Sequence, residues 1–175
     1  MWLTGLPAAG KSTIAGLVAG ALEERGVLVD RLDGDVVRAH LTHELGFSKE
    51  DRDLNIARIG WVASRLARAG AAVVVSAISP YDEARRRARA LVEEHAAFVL
   101  VHVATAVEEC ARRDPKGLYA KAHAGEISGF TGVDDPYEEP ADAEVRIDTA
   151  GRTPRESAAI VLAKLEELGL VGVPA

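Results

Sequence analysis

Gly5-Leu6-Pro7-Ala8-Ala9-Gly10-Lys11-Ser12 fits the pattern G-x-x-x-x-G-K-[ST], and its flanks decide how it is read. The apolar run Met1–Thr4 before it predicts a strand. After it, Ile14, Leu17, Val18, Ala21 and Leu22 recur at helical spacing, with Gly26 as a stop. A loop between a strand and a helix turns backbone N–H groups toward a bound anion, and the helix dipole adds to the attraction. The stretch therefore predicts a phosphate-binding loop, with Lys11 reaching the β- and γ-phosphates of a nucleotide and Ser12 ligating Mg²⁺. A glycine-containing turn with an accidental lysine is the competing reading, and it leaves the flanking pattern unexplained.

The same alternation continues along the chain. Further strands are expected at Val27–Leu32, Ala71–Ala77, Phe98–Val103 and Val145–Ile147. Ala72–Val75 and Phe98–Val101 are unbroken apolar runs, as in strands covered on both faces of a parallel sheet. Ile56, Ile59, Ala63 and Leu66 mark a second helix, ended by Gly70, and the arginine-rich Tyr81–Glu94 a third with one broad solvated face. A last helix follows Thr153-Pro154. The expected fold is α/β, a three-layer α/β/α arrangement of the P-loop NTPase type with a mainly parallel five-stranded sheet. Residues 114–140 break the rhythm with glycines, prolines, lysine and carboxylates, which predicts a long lid loop. Without repeats or an internal boundary, residues 1–175 are expected to form one domain.

Composition narrows the function. Lys and Arg total 21 against 27 Asp and Glu, a formal charge of −6, which argues against a general nucleic-acid binder. No apolar run approaches the roughly 18 residues that would span a bilayer, so no membrane partner is expected. The chain runs directly into its glycine-rich loop and carries one cysteine, Cys110, so a cytoplasmic protein without disulfides is expected. The helical spacing of Val107, Cys110 and Ala111 makes Cys110 a core thiol. None of the five histidines has metal-ligand spacing with it.

The strand Ala71–Ala77 ends without a Walker-B aspartate, and no guanine-reading N-K-x-D is present. The acidic pair instead follows the second strand, as Asp33-Gly34-Asp35. Open α/β sheets bind ligands at the carboxyl ends of their strands, so one carboxylate can hold Mg²⁺-bound water while the other orients or deprotonates an acceptor hydroxyl. Both could instead simply cap the next helix. Arg38 lies one turn on, and Arg52, Asn55 and Arg58 share a helix face by spacing. Arginines facing a cleft suit a phosphate or sulfate on the acceptor; a solvated face is the other reading. Ser79, in Ser79-Pro80-Tyr81, either contacts the acceptor or caps the helix. A small-molecule kinase is the branch these residues favour.

Several stretches resemble the adenylylsulfate kinases, which phosphorylate the 3′-hydroxyl of adenosine 5′-phosphosulfate (APS) with ATP. They are Gly5–Thr13, Leu32–Asp35 with Val37-Arg38, Leu45–Ser48 with Asp51-Arg52 and Asn55-Ile56, and Ile78–Tyr81. Arg113–Tyr119, Gly125–Ile127 and Gly129–Glu138 complete the series, which covers Thr4 to Thr149 in the family's order. The resemblance implies an ATP site on Gly5, Leu6, Pro7, Ala8, Ala9, Gly10, Lys11, Ser12 and Thr13, with Arg113 and Thr149. It implies an acceptor site on Asp35, Arg38, Phe47, Arg52, Asn55, Ile78, Ser79, Gly129 and Phe130, where the two phenylalanines clamp the adenine, with Lys116 near the phosphates. Lys11, Asp33, Asp35 and Ser79 carry the catalytic roles it implies, and Ser12 with Asp33 the Mg²⁺. Ser79 matches a phosphoserine position of the family, although direct in-line transfer needs no covalent stage. A homodimer is implied as well.

The sequence departs from the family's pattern at Pro7-Ala8-Ala9, where glycine and serine are more usual. It departs also at Val36, Leu54, Ala57, Trp61 and His123, which stand for asparagine, glutamate, arginine, glutamate and arginine respectively. Two rival readings go with these residues: a kinase of another small anionic alcohol, and a catalytically silent nucleotide-sensing module.

Overall fold

The computed structural model describes residues 1–172. Five strands, β1 (Trp2–Thr4), β2 (Val29–Asp33), β3 (Ala72–Ser76), β4 (Leu100–Val103) and β5 (Val145–Ile147), form one sheet in the order β2-β3-β1-β4-β5. Every pairing is parallel, so the sheet is wholly rather than mainly parallel. The helices are α1 (Lys11–Glu24), α2 (Gly34–His40), α3 (Lys49–Arg68), α4 (Asp82–Glu93), α5 (Val107–Arg113), α6 (Leu118–His123) and α7 (Pro154–Glu167).

Successive strand residues point to opposite faces, and the sheet sorts them into two cores. Leu3, Val74 and Val101 pack with Ile14, Val18 and Leu22 of α1 and Val161 of α7. Trp2, Val73, Val75 and Leu100 pack on the other side with Ile56 and Ile59 of α3 and Ala88 and Val92 of α4. That alternation is why the central strands read as continuous apolar runs. The ends of α3 and α7 are written in the sequence: Ser48 accepts from the Asp51 N–H, and Thr153 with Glu156 forms a capping box ahead of Pro154.

The chain direction of the sheet order reverses at β1, with β3 on one side and β4 on the other, so the crevice opens beyond its carboxyl end. Gly5 turns the chain there at a φ of 148°, and a Cβ would lie 2.4 Å from the Val103 carbonyl oxygen, a contact only glycine avoids. Residues 114–140, read from sequence as irregular, hold the six-residue α6 and a bridge between Thr131 and Asp135. A helix this short presents too little periodicity to stand out in a sequence.

Candidate active site

A cleft of about 810 Å³ runs along the carboxyl edge of the sheet, floored by Lys11, Ser12, Asp33 and Ser76. Its walls include Arg38, Phe47, Arg52 and Asn55 on one side, and Lys116, Gly129 and Phe130 on the other. A second hollow of about 390 Å³ lies under the Ala8–Ile14 turn and is lined by Arg113 and Thr149.

Lys11 is 9% exposed, and its Nζ donates to the carbonyls of Gly5 (2.9 Å) and Leu6 (2.7 Å). Burial lowers its pKa to about 8, against the opposing pull of Asp33 and Asp35. Next to it, Asp33 Oδ2 accepts from Ser12 Oγ (2.6 Å) and Ser76 Oγ (2.7 Å). Its Oδ1 accepts from the Asp35 N–H at 3.0 Å, capping α2. The oxygen that caps α2 is thus not the one that faces Ser12 and Ser76. Burial alone would raise the Asp33 pKa, yet the two hydroxyl bonds and the backbone N–H groups hold it below the ordinary carboxylate value. Asp33 and Ser76 face each other in register on β2 and β3, so a serine hydroxyl and the neighbouring strand's carboxylate stand where the missing Walker-B residue would.

Asp35 is exposed and ion-pairs across the cleft with Lys116. Arg38 donates to the carbonyls of Leu45 (3.1 Å) and Gly46 (2.9 Å), and its guanidinium lies 4.4 Å from the centre of the Phe47 ring. Arg52 is 8% exposed and joins both walls. Its Nε donates to the Phe47 carbonyl (2.9 Å), Nη1 to Thr131 Oγ1 (3.0 Å) and Nη2 to the Gly129 carbonyl. Phe130 rests edge-on against Tyr119, with ring centres 5.0 Å apart. Asp134 receives the N–H groups of Gly129 and Phe130, and Asp135 receives Tyr81 Oη at 2.9 Å and Thr131 Oγ1 at 3.2 Å.

Most sequence-derived candidates therefore converge. Pro7, Ala8, Gly10, Thr13 and Ile78 line the main cleft; Leu6 and Gly5 take part through their carbonyls, and Ala9 is buried beneath. Arg113 donates to Thr149 Oγ1 (2.8 Å) and to the Thr149 carbonyl (3.0 Å), placing both on the second hollow. Arg58 does not join them: it pairs with Glu44 outside the cleft. Ser79 does not cap α4, whose N-cap is Tyr81 without a side-chain bond. Its hydroxyl accepts from the Trp2 indole N–H (3.0 Å) and donates to the Ala77 carbonyl (3.3 Å), while its backbone sits at a φ of 41°.

The sequence reading missed Arg85, which is 2% exposed. Its guanidinium donates to the Ser79 carbonyl (2.7 Å) and the Glu138 carbonyl (2.7 Å), fastening the loop after β3 to the 114–140 segment. A signal existed, because Arg85 shares the buried stripe with Ala88 and Val92. Ser76 and Asp135 carried no such signal.

Among the described residues, no cluster of three or more His, Cys, Asp or Glu side chains could hold a metal ion. Among those residues, too, no helix is long and apolar enough to cross a membrane. The family model for adenylylsulphate kinase matches residues 1–148. An adenylyl-sulfate kinase of Halothermothrix orenii is 49% identical over 174 residues, covering 99% of this chain and 92% of that protein. A probable bifunctional SAT/APS kinase 2 of Sorangium cellulosum is 53% identical over 171 residues, 98% of this chain, which spans only 29% of that longer protein. The structure of the Mycobacterium tuberculosis APS kinase CysC in complex with AMPPNP and APS superposes with a TM-score of 0.91 at 45% identity, covering 94% of this chain and 95% of that one.

Proposed function

The chain belongs to the adenylylsulphate kinase family, and we propose that it transfers the γ-phosphate of ATP to the 3′-hydroxyl of APS, giving 3′-phosphoadenosine 5′-phosphosulfate and ADP. One observation carries the reading: Arg52 draws Phe47 and Gly129-Phe130 onto the two walls of a cleft whose floor is the phosphate loop. A planar base between two aromatic rings and a phosphoryl donor on the loop are what this reaction must bring together.

The nucleotide's phosphates lie on the backbone N–H groups of Gly5–Thr13 with Lys11, and its base reaches the hollow at Arg113 and Thr149. Ser12 and Asp33 supply hard oxygens, one of them a carboxylate, which is the sparse protein share that Mg²⁺ takes when phosphates complete its shell. Mg²⁺ bound there would neutralise charge on the phosphates. Arg38, Arg52 and Asn55 receive the acceptor's phosphosulfate, and Ile78 and Ser79 its sugar side. Asp35 orients the acceptor hydroxyl, and Lys116 follows the phosphoryl group, its pairing with Asp35 giving way to substrate. The two partners of Ser79 Oγ favour direct in-line transfer over a phosphoserine stage. The 114–140 segment acts as the lid.

We further assign the protein to the cytoplasm as a homodimer. Leu54 and Trp61, 44% and 58% exposed on the outer side of α3, are the apolar surface such a contact would cover. A coupled ADP-release assay with APS tests the reaction. Turnover that requires APS is expected; ADP release without acceptor, or none with it, overturns the proposal.

A further inference from the structure

Asn55 ends in an amide, whose two ends do opposite things in an anion site. Its nitrogen donates hydrogen bonds to a phosphate or sulfate oxygen, and its oxygen repels one. Which end faces the cleft is therefore a functional variable, and the cleft itself biases it the wrong way. Arg38 and Arg52 stand on the same wall, and two guanidinium cations draw a carbonyl oxygen toward themselves.

Thr42, in the turn after α2, opposes that pull. It is 0% exposed, and its Oγ1 lies 2.7 Å from Asn55 Oδ1, against 3.5 Å from the Val37 carbonyl. A spacing of 2.7 Å is that of an O–H···O bond, shorter than the usual N–H···O distance. The rival acceptor, the Val37 carbonyl, is farther away and already receives the N–H groups of Leu41 at 2.8 Å and Thr42 at 3.2 Å. Thr42 therefore donates to Asn55 Oδ1. The amide nitrogen, which has no partner among the described residues, is left to the cleft that Asn55 lines.

We infer that Thr42 is a positioning residue for the acceptor site: it fixes the Asn55 amide with its N–H groups toward the bound anion. The inference rests on the kinase reading above and adds to it a group that never touches substrate. Losing the bond leaves Asn55 free to turn its oxygen to the cations, so the acceptor is met by a repelling group in place of a donor.

The test measures KM for APS and for ATP, kcat, and the side-chain amide NMR signals of Asn55, assigned by their loss in Asn55→Ala. Thr42→Val and Thr42→Ala should each raise the KM for APS about tenfold, the usual effect of one orienting hydrogen bond, with kcat and the KM for ATP within about twofold. Thr42→Ser should restore it, and Thr42→Val placed on Asn55→Ala should add less than about twofold. Equal increases with and without Asn55, or parallel increases for ATP, would overturn the inference and mark Thr42 as merely structural. Should wild-type protein fail to turn over APS, the kinase reading fails and the spectrum alone decides. Asn55 amide signals that move in Thr42→Val and stay in Thr42→Ser sustain the positioning role, whereas signals unmoved in Thr42→Val remove it.

Discussion

Replacing Arg85 with alanine is the perturbation that most directly tests how the acceptor loop is held. The guanidinium is almost wholly buried and donates to the Ser79 and Glu138 carbonyls at 2.7 Å each, with a longer bond of 3.2 Å to Asp82. Each bond from a charged donor to a buried acceptor is worth about 1.5–3 kcal/mol, and truncation leaves the Ser79 carbonyl without its strongest donor. Allowing for water reaching the outer carbonyl at Glu138, the expected loss is about 4 kcal/mol, in the range for breaking a buried charge network. For a chain of this size that lowers Tm by about 8–16 °C. Arg85→Lys keeps the charge but reaches only one of the two carbonyls, so about half the loss should remain. Urea unfolding followed by far-UV circular dichroism gives both numbers, and acceptor and ATP kinetics on the same samples give the functional half. The KM for APS should rise while that for ATP holds, because Arg85 fastens the Ser79 loop and not the phosphate loop. A loss below about 1 kcal/mol in Arg85→Ala, the value of an exposed pair, would refute the reasoning, as would Arg85→Lys falling as far as alanine.

Four further outcomes are expected. Arg52→Ala should raise the KM for APS and lower kcat together, since it frees both Phe47 and Gly129; unchanged acceptor kinetics would remove Arg52 from the site. Nucleotide binding should take up protons above pH 8, because Lys11, held near pKa 8 by burial, regains its proton beside a phosphate; at pH 8.5 the uptake is about three-quarters of a proton if the phosphate restores the ordinary value, and calorimetry in buffers of differing ionisation enthalpy that found none would be decisive against it. His102, whose pKa burial lowers from 6.5 to about 4, binds fewer protons folded than unfolded across that interval. Its share of stability is thus complete above pH 6.5 and lost as pH falls to 4, and Tm in His102→Phe should decline less steeply over that window; an identical slope contradicts the assignment. Ala8 carries a left-handed φ of 61° in the phosphate loop, so Ala8→Gly should leave activity in place and offset a strain of about 1–2 kcal/mol by a similar backbone-entropy loss, giving a Tm within a few degrees of wild type, and a drop of 10 °C or more would count against a strained Ala8.

How much of this was legible in the chain follows from where each partner lies. The phosphate loop could be read because strand, turn and helix are contiguous, and Asp33 because it ends a strand. Spacing put Arg52, Asn55 and Arg58 on one helix face without deciding between cleft and solvent, and Arg58 lies outside the cleft; the residues that hold Arg52 and Asn55 could not be read at all. Thr131 lies 79 residues from Arg52, and Thr42 lies 13 residues from Asn55 across a turn of no regular period. Arg85 could have been read as buried from its stripe with Ala88 and Val92, but not what it holds, since its acceptors are main-chain carbonyls that leave no mark on side-chain chemistry. Ser76 pairs with Asp33 only through the register of two strands that are far apart in the chain.

The way Arg52 is bonded has a consequence for how this site can change over evolutionary time. One guanidinium holds the carbonyl of Phe47, five residues away, and that of Gly129, 77 residues away, so two loops that evolve as separate stretches of sequence share a single fastening. Substitutions on either loop shift the geometry felt by the other, and their effects on the acceptor will fail to add. A new acceptor specificity is therefore reached more readily by changing residue 52 first, which releases both loops to vary independently, than by altering either ring while the fastening stays in place.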